Sequence, residues 1–150
     1  MTGDKLRLMW RTEFSPGSLR AVGLTNDGTE ITATVATAGA PSRITLEADR
    51  QTISADGKDL SFVTARIIDD AGVLVPHADN LVNFTVTGPG SIKAVGSGSQ
   101  TSHEPFTTDD RKAFNGLCLA IIQSEEEAGD ITLTASADGL QPAVVTIKSE

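Results

Sequence analysis

Tyrosine is missing from these 150 residues, and tryptophan, cysteine and histidine are nearly so: Trp10 and Cys118 stand alone, and His77 and His103 are the two imidazoles. A single cysteine cannot close an internal disulfide, and without a cysteine pair or a histidine cluster a structural zinc site lacks its ligands. Positive charge is also short, with 12 Lys and Arg against 20 Asp and Glu and a net charge of -8. Such a surface repels phosphate backbones, which excludes nucleic acid as a partner. No run approaches the roughly 20 apolar residues that cross a bilayer, so no membrane partner is expected. Neither a Gly-rich phosphate loop nor a serine in a nucleophile-elbow pattern occurs, and no cofactor is expected.

What remains is rich in Thr, Val, Ala, Ser and Gly, residues that suit pleated strands better than amphipathic helices. Period-two alternation recurs along the chain and turn residues punctuate it. Leu6, Leu8 and Trp10 share one face of a first strand, Leu19 to Leu24 form a second, and Ile31 to Ala36 return after the hairpin signal Asn26-Asp27-Gly28. Three such strands cannot bury a face alone. Residues 1–38 therefore read as a short β-meander, the C-terminal tail of a preceding β-rich domain, ending at the small-residue joint Ala38-Gly39-Ala40-Pro41-Ser42.

The pattern then restarts. Ile44 to Ala48, Thr52 to Ala55, Val63 to Ile67, Val82 to Val86, Ile92 to Val95, Leu117 to Ile122, Ile131 to Ala135 and Ala143 to Ile147 read as strands, some of them short. About seven strands in residues 41–150 predict an all-β fold, an immunoglobulin-like β-sandwich without the Cys…Trp…Cys core of antibody domains. Leu117 to Ile122 is apolar on both faces, which predicts a central or covered strand with Cys118 as a buried, inert thiol. Gly96 to Asn115 lacks alternation over about 20 residues, longer than a compact domain usually leaves irregular.

Several polar groupings bear on possible chemistry. Glu125-Glu126-Glu127 precedes Ala128-Gly129 between two strands, the place of a solvated turn rather than of two carboxyls facing each other across a sugar. Asp69, Asp70 and Asp79 are weak Ca²⁺ candidates, as are His103 and Glu104 with Asp109 and Asp110. None has a fixed ligand spacing, and Asx turns explain them as well, so no metal is expected. Trp10 is the weak sugar-contact candidate because it is the lone large amphipathic ring, although it shares a face with Leu6 and Leu8. Phe106 and Phe114 read as anchors for the irregular stretch.

The runs Ser15-Pro16-Gly17-Ser18-Leu19-Arg20-Ala21-Val22-Gly23, Ala55-Asp56-Gly57-Lys58-Asp59-Leu60-Ser61-Phe62-Val63, Val75-Pro76-His77-Ala78-Asp79-Asn80-Leu81 and Arg111-Lys112-Ala113-Phe114-Asn115-Gly116 resemble the C-terminal modules of glycoside hydrolase family 2 β-galactosidases of Bacteroides-like bacteria. One departure is Gly96-Ser97-Gly98-Ser99, where related sequences often carry an Asn- or Asp-containing turn. The resemblance implies that residues 41–150 are the immunoglobulin-like C-terminal domain of such a protein. It also implies that the catalytic glutamates lie in a separate barrel, so no catalytic residue is carried over to this chain.

The expected function is that of a non-catalytic accessory module in carbohydrate degradation, whose partners are other domains of the parent glycosidase. Its candidate interdomain surface is His103, Glu104, Phe106 and Arg111 in the irregular stretch. The alternatives are a carbohydrate-binding module, with carbohydrate as partner, and a bacterial adhesin-type immunoglobulin-like repeat. The opening Met1-Thr2-Gly3-Asp4-Lys5 lacks the apolar core of a signal peptide. The expected location is therefore that of the parent protein, periplasmic or secreted.

Overall fold

The computed structural model describes Met9 and residues 11–150, and the chain divides into two compact units, Met1–Thr37 and Ala38–Glu150. All eleven elements of the described residues are strands. The expected strand through Leu6, Leu8 and Trp10 lies outside the described residues, and so does the sugar-contact candidate Trp10.

The first unit contains an antiparallel pair, β1 (Ser18–Leu24) and β2 (Glu30–Ala36), in the register Leu19↔Val35, Ala21↔Ala33 and Gly23↔Ile31. The turn forms where Asn26-Asp27-Gly28 predicted it. Gly28 takes φ 85°, and the Asp27 carboxylate accepts from the Thr25 hydroxyl and, at 3.1 Å, from the Thr29 amide. These donors hold the Asp27 carboxyl below the usual aspartate range, the Thr25 hydroxyl contributing most. Because side chains alternate across a strand, Leu19, Ala21, Ile31, Ala33 and Val35 share one wholly apolar face.

The second unit is the sandwich. One sheet has the order β4 (Thr52–Ile53), β11 (Ala143–Ser149), β10 (Gly129–Ser136), β6 (Leu81–Thr87), β8 (Asp110–Lys112). The other has the order β3 (Arg43–Ala48), β5 (Leu60–Ile68), β9 (Leu117–Ser124), β7 (Gly90–Gly96). All pairings are antiparallel except β4 with β11. The core lies between the sheets. Val63, Ala65 and Ile67 of β5 and Cys118, Ala120 and Ile122 of β9 meet Val82 and Phe84 of β6, Ile131 and Leu133 of β10 and Ile147 of β11. The doubly apolar β9 is central, flanked by β5 and β7, and burial pushes the Cys118 thiol up to about 12.

Nine strands form here rather than about seven. The one that alternation did not reveal is β8, inside the stretch expected to be irregular. It is short and wholly charged, and its inward residue is an arginine rather than an aliphatic side chain. The turn that follows it carried a legible signal. Phe114 and Leu117 exchange backbone hydrogen bonds at 2.8 and 3.1 Å around Asn115 (φ 53°) and Gly116 (φ 77°), both left-handed as a two-residue hairpin turn of this hand requires. A Cβ on Gly116 would also come within 2.5 Å of the Val75 carbonyl oxygen.

Phe84 is 3% exposed and faces the middle of the core. Phe84→Ala is expected to cost about 3–5 kcal/mol in urea unfolding. A loss under about 1 kcal/mol is inconsistent with this packing.

Candidate functional site

Between β7 and β8 the chain leaves the sheet as a loop, residues 97–109, and Arg111 holds it down. On β8, Arg111 pairs with Val82 of β6, which is buried, so the pleat turns the Arg111 side chain inward as well. Its side chain is 1% exposed. Nη2 donates to the Val95 carbonyl at 2.9 Å and to the Pro105 carbonyl at 2.6 Å, and Nη1 donates to the Glu104 carbonyl at 3.4 Å. The Glu104 carboxylate stands 3.6 Å from Nη1, and the Phe106 ring lies 5.2 Å from the guanidinium carbon. A buried arginine is tolerated only with such compensation: an opposite charge, carbonyl acceptors and a ring face. The Phe106 carbonyl also accepts from the Val95 amide at 2.8 Å, which ties the loop to β7.

Glu104 is the second organising side chain. One carboxylate oxygen accepts from the Ser102 hydroxyl at 2.8 Å and the other from the Lys112 amide at 3.2 Å. These donors, Ser102 first, hold its carboxyl below the usual glutamate range, with Arg111 adding to the effect. Lys112 reaches Asp79 at 2.9 Å, which raises the lysine and lowers the aspartate. Beside these groups is an open cleft of about 340 Å³, lined by Ser97, Ser99, Ser102, Glu104, Lys112 and Phe114 among others. The charged groups that line it are paired with neighbours on its own walls.

The four residues expected to form one contact surface separate into two roles. His103 and Phe106 are exposed, the latter at 67%, and Glu104 is partly exposed. Arg111 is a correction: it is buried beneath the loop and presents nothing to a partner, because its place on an inward-facing strand position sends its charge into the core side of the sheet. The Ca²⁺ candidates do not converge. Both Asp69 oxygens are engaged by the amides of Gly39 (2.7 Å) and Val73 (2.8 Å), Asp79 is paired with Lys112, and Asp70 is exposed. Among the described residues no three His, Cys, Asp or Glu side chains are grouped so as to hold a metal ion. Glu125, Glu126 and Glu127 are exposed on the β9–β10 connection.

The unit Ala38–Glu150 is thus a two-sheet β-sandwich with a surface loop held by Arg111. Residues 44–146 match the family model for glycoside hydrolase family 2 C-terminal domain 5, and the chain belongs to that family. It is 44% identical over 147 residues to the β-galactosidase BoGH2A of Bacteroides ovatus, covering 98% of this chain and 17% of that protein. A β-glucuronidase of Formosa agariphila is 30% identical over 142 residues, 91% of this chain and 14% of the relative. Among solved structures, a glycosyl hydrolase family 2 member from Bacteroides cellulosilyticus superposes with a TM-score of 0.88 at 37% identity, covering 95% of this chain and 18% of that one. The chain thus spans less than a fifth of the length of these relatives.

If Arg111 is the loop's anchor, Arg111→Ala leaves the Val95 and Pro105 carbonyls without a donor and costs about 1–3 kcal/mol in urea unfolding. Arg111→Lys does not restore stability, since one ammonium cannot span acceptors that a planar guanidinium reaches together. Wild-type stability in the lysine variant contradicts the anchoring role.

Proposed function

We propose that this chain is a non-catalytic accessory module of a longer, β-galactosidase-like family 2 glycosidase, which steadies or positions the other domains of that enzyme during carbohydrate degradation. The observation that carries the reading is the family match over residues 44–146, in a chain that spans 17% of its 44%-identical relative. The arrangement of acidic groups supports it. Several carboxylates are committed to turns or ion pairs, Asp69 to backbone amides, Asp59 to Arg50 and the Ser54 amide, and Asp79 to Lys112. Glycoside hydrolysis by an acid and a base or nucleophile needs two carboxyls facing one another across a bound sugar. Residues 1–38, with the apolar face of the β1–β2 pair, belong in this reading to the end of a preceding β-rich domain, and residues 41–150 form the module proper. His103 and Phe106 are the loop residues offered to a neighbouring domain. The parent enzyme acts in the periplasm or outside the cell.

The reading has a direct test. The purified chain hydrolyses no nitrophenyl galactoside, and removing Ala38–Glu150 from the longer polypeptide lowers its melting temperature by several degrees. Turnover by the isolated chain, or an unchanged melting temperature after removal, contradicts it.

A further inference from the structure

The two outer faces of the sandwich differ in chemistry. On the five-stranded sheet, the outward residues of β6, β10 and β11 are mostly polar, among them Asn83, Thr85, Thr132 and Thr146, with Leu81 and Val144 as exposed apolar side chains on different strands. Threonine on a strand's wet face combines β-propensity with a hydroxyl for water, and two scattered apolar side chains among polar ones are ordinary. The four-stranded sheet is built the other way. Its inward residues are Val63, Ala65, Cys118, Ala120 and Ile122, so the intervening positions point out: Leu60, Phe62, Leu117, Leu119 and Ile121 are the apolar ones on β5 and β9, and Thr64, Arg66 and Gln123 the polar ones. The register brings them together. Phe62 lies opposite Ile121, whose other neighbour is Ala94 of β7, and Leu119 stands between Thr64 and Gly96. Phe62 is 39% exposed, and the leucines and Ile121 are half-buried. The Arg66–Glu47 pair, at 3.2 Å, marks one polar rim.

A contiguous apolar face of this kind marks a contact surface. We propose that the outer face of the four-stranded sheet, centred on Phe62, Leu119 and Ile121, docks onto an apolar surface of another domain of the same longer polypeptide. This rests on the accessory-module reading and adds to it a second contact surface, distinct from the loop that carries His103 and Phe106. Two observations select the occupant. In the relatives more than four-fifths of the chain lies outside this module, which supplies a tethered partner at high effective concentration. A second copy is disfavoured by the net charge of -8 on each chain. A sugar is a poor occupant, since aliphatic side chains offer no hydrogen bonds to its hydroxyls.

The test uses thiol alkylation by a maleimide. Cys118 is buried with its thiol pushed up to about 12, so it contributes little background. Phe62→Cys and Ile121→Cys report the face, and Val144→Cys, on the opposite sheet, is the control. Each is compared between the isolated chain and the longer polypeptide. Alkylation at Phe62→Cys and Ile121→Cys is expected to slow about tenfold or more in the longer polypeptide, as burial behind an interface requires, while Val144→Cys keeps its rate. Equal rates in the two contexts overturn the inference. So does a dimer of the isolated chain that Phe62→Lys dissolves, because the occupant is then a second copy. Removal of the module separates this from the broader reading. A fall in melting temperature on removal with no protection at Phe62→Cys overturns the docking face and leaves the accessory role standing. Protection with no fall supports the docking face and removes the stabilising role.

Discussion

A pleated strand can hide only every second side chain, and most of this module follows from that constraint. On β5 and β9 it sends Val63, Ala65, Ala120 and Ile122 into the core and leaves Phe62, Leu119 and Ile121 outside. On β6 and β10 it buries Val82, Phe84, Ile131 and Leu133 and presents threonine to solvent. The core therefore closes with aliphatic residues of modest size, and the chain manages with few aromatics because two sheets share the burial. The same rule also determines what is left over. A sheet whose outward face is mostly polar with scattered apolar side chains is finished, whereas one whose outward face groups Leu60, Phe62, Leu119 and Ile121 gains by being covered.

The constraint explains the arginine under the loop as well. Arg111 occupies an inward position on β8 because its pairing partner, Val82, is inward. An uncompensated charge there would be prohibitive. The loop supplies the compensation by folding its own carbonyls, the Glu104 carboxylate and the Phe106 ring around the guanidinium. Loop and strand thus require each other, which is how a stretch without apolar alternation becomes ordered.

The legible parts of the sequence were those where alternation runs over apolar residues. Val63 to Ile67, Val82 to Val86 and Ile131 to Ala135 all lie within observed strands, extended by one to three residues at their ends. β8 was invisible because Asp110-Arg111-Lys112 carries its pattern in charge rather than hydropathy. The Asn115-Gly116 hairpin was readable from its dipeptide and lay at the far edge of the stretch treated as irregular. For the site, three of the chosen residues, Glu104, Phe106 and Arg111, meet around the guanidinium, but solvent access is decided by strand register, which a spacing argument cannot supply without knowing that β8 exists. The apolar outer row of β9 was visible as a run with two apolar faces. Its meaning depends on which neighbours flank the strand, a fact of topology.

On the proposed reading the module works through contact rather than chemistry, on a face made apolar by residues that the pleat could not bury. The most direct test is the structure of the longer polypeptide, with the area buried between residues 38–150 and the remaining domains measured face by face. The account predicts an interdomain contact of at least about 600 Å² in which Phe62, Leu119 and Ile121 are covered while the threonine face stays wet. A structure in which the four-stranded sheet looks out into bulk solvent contradicts it.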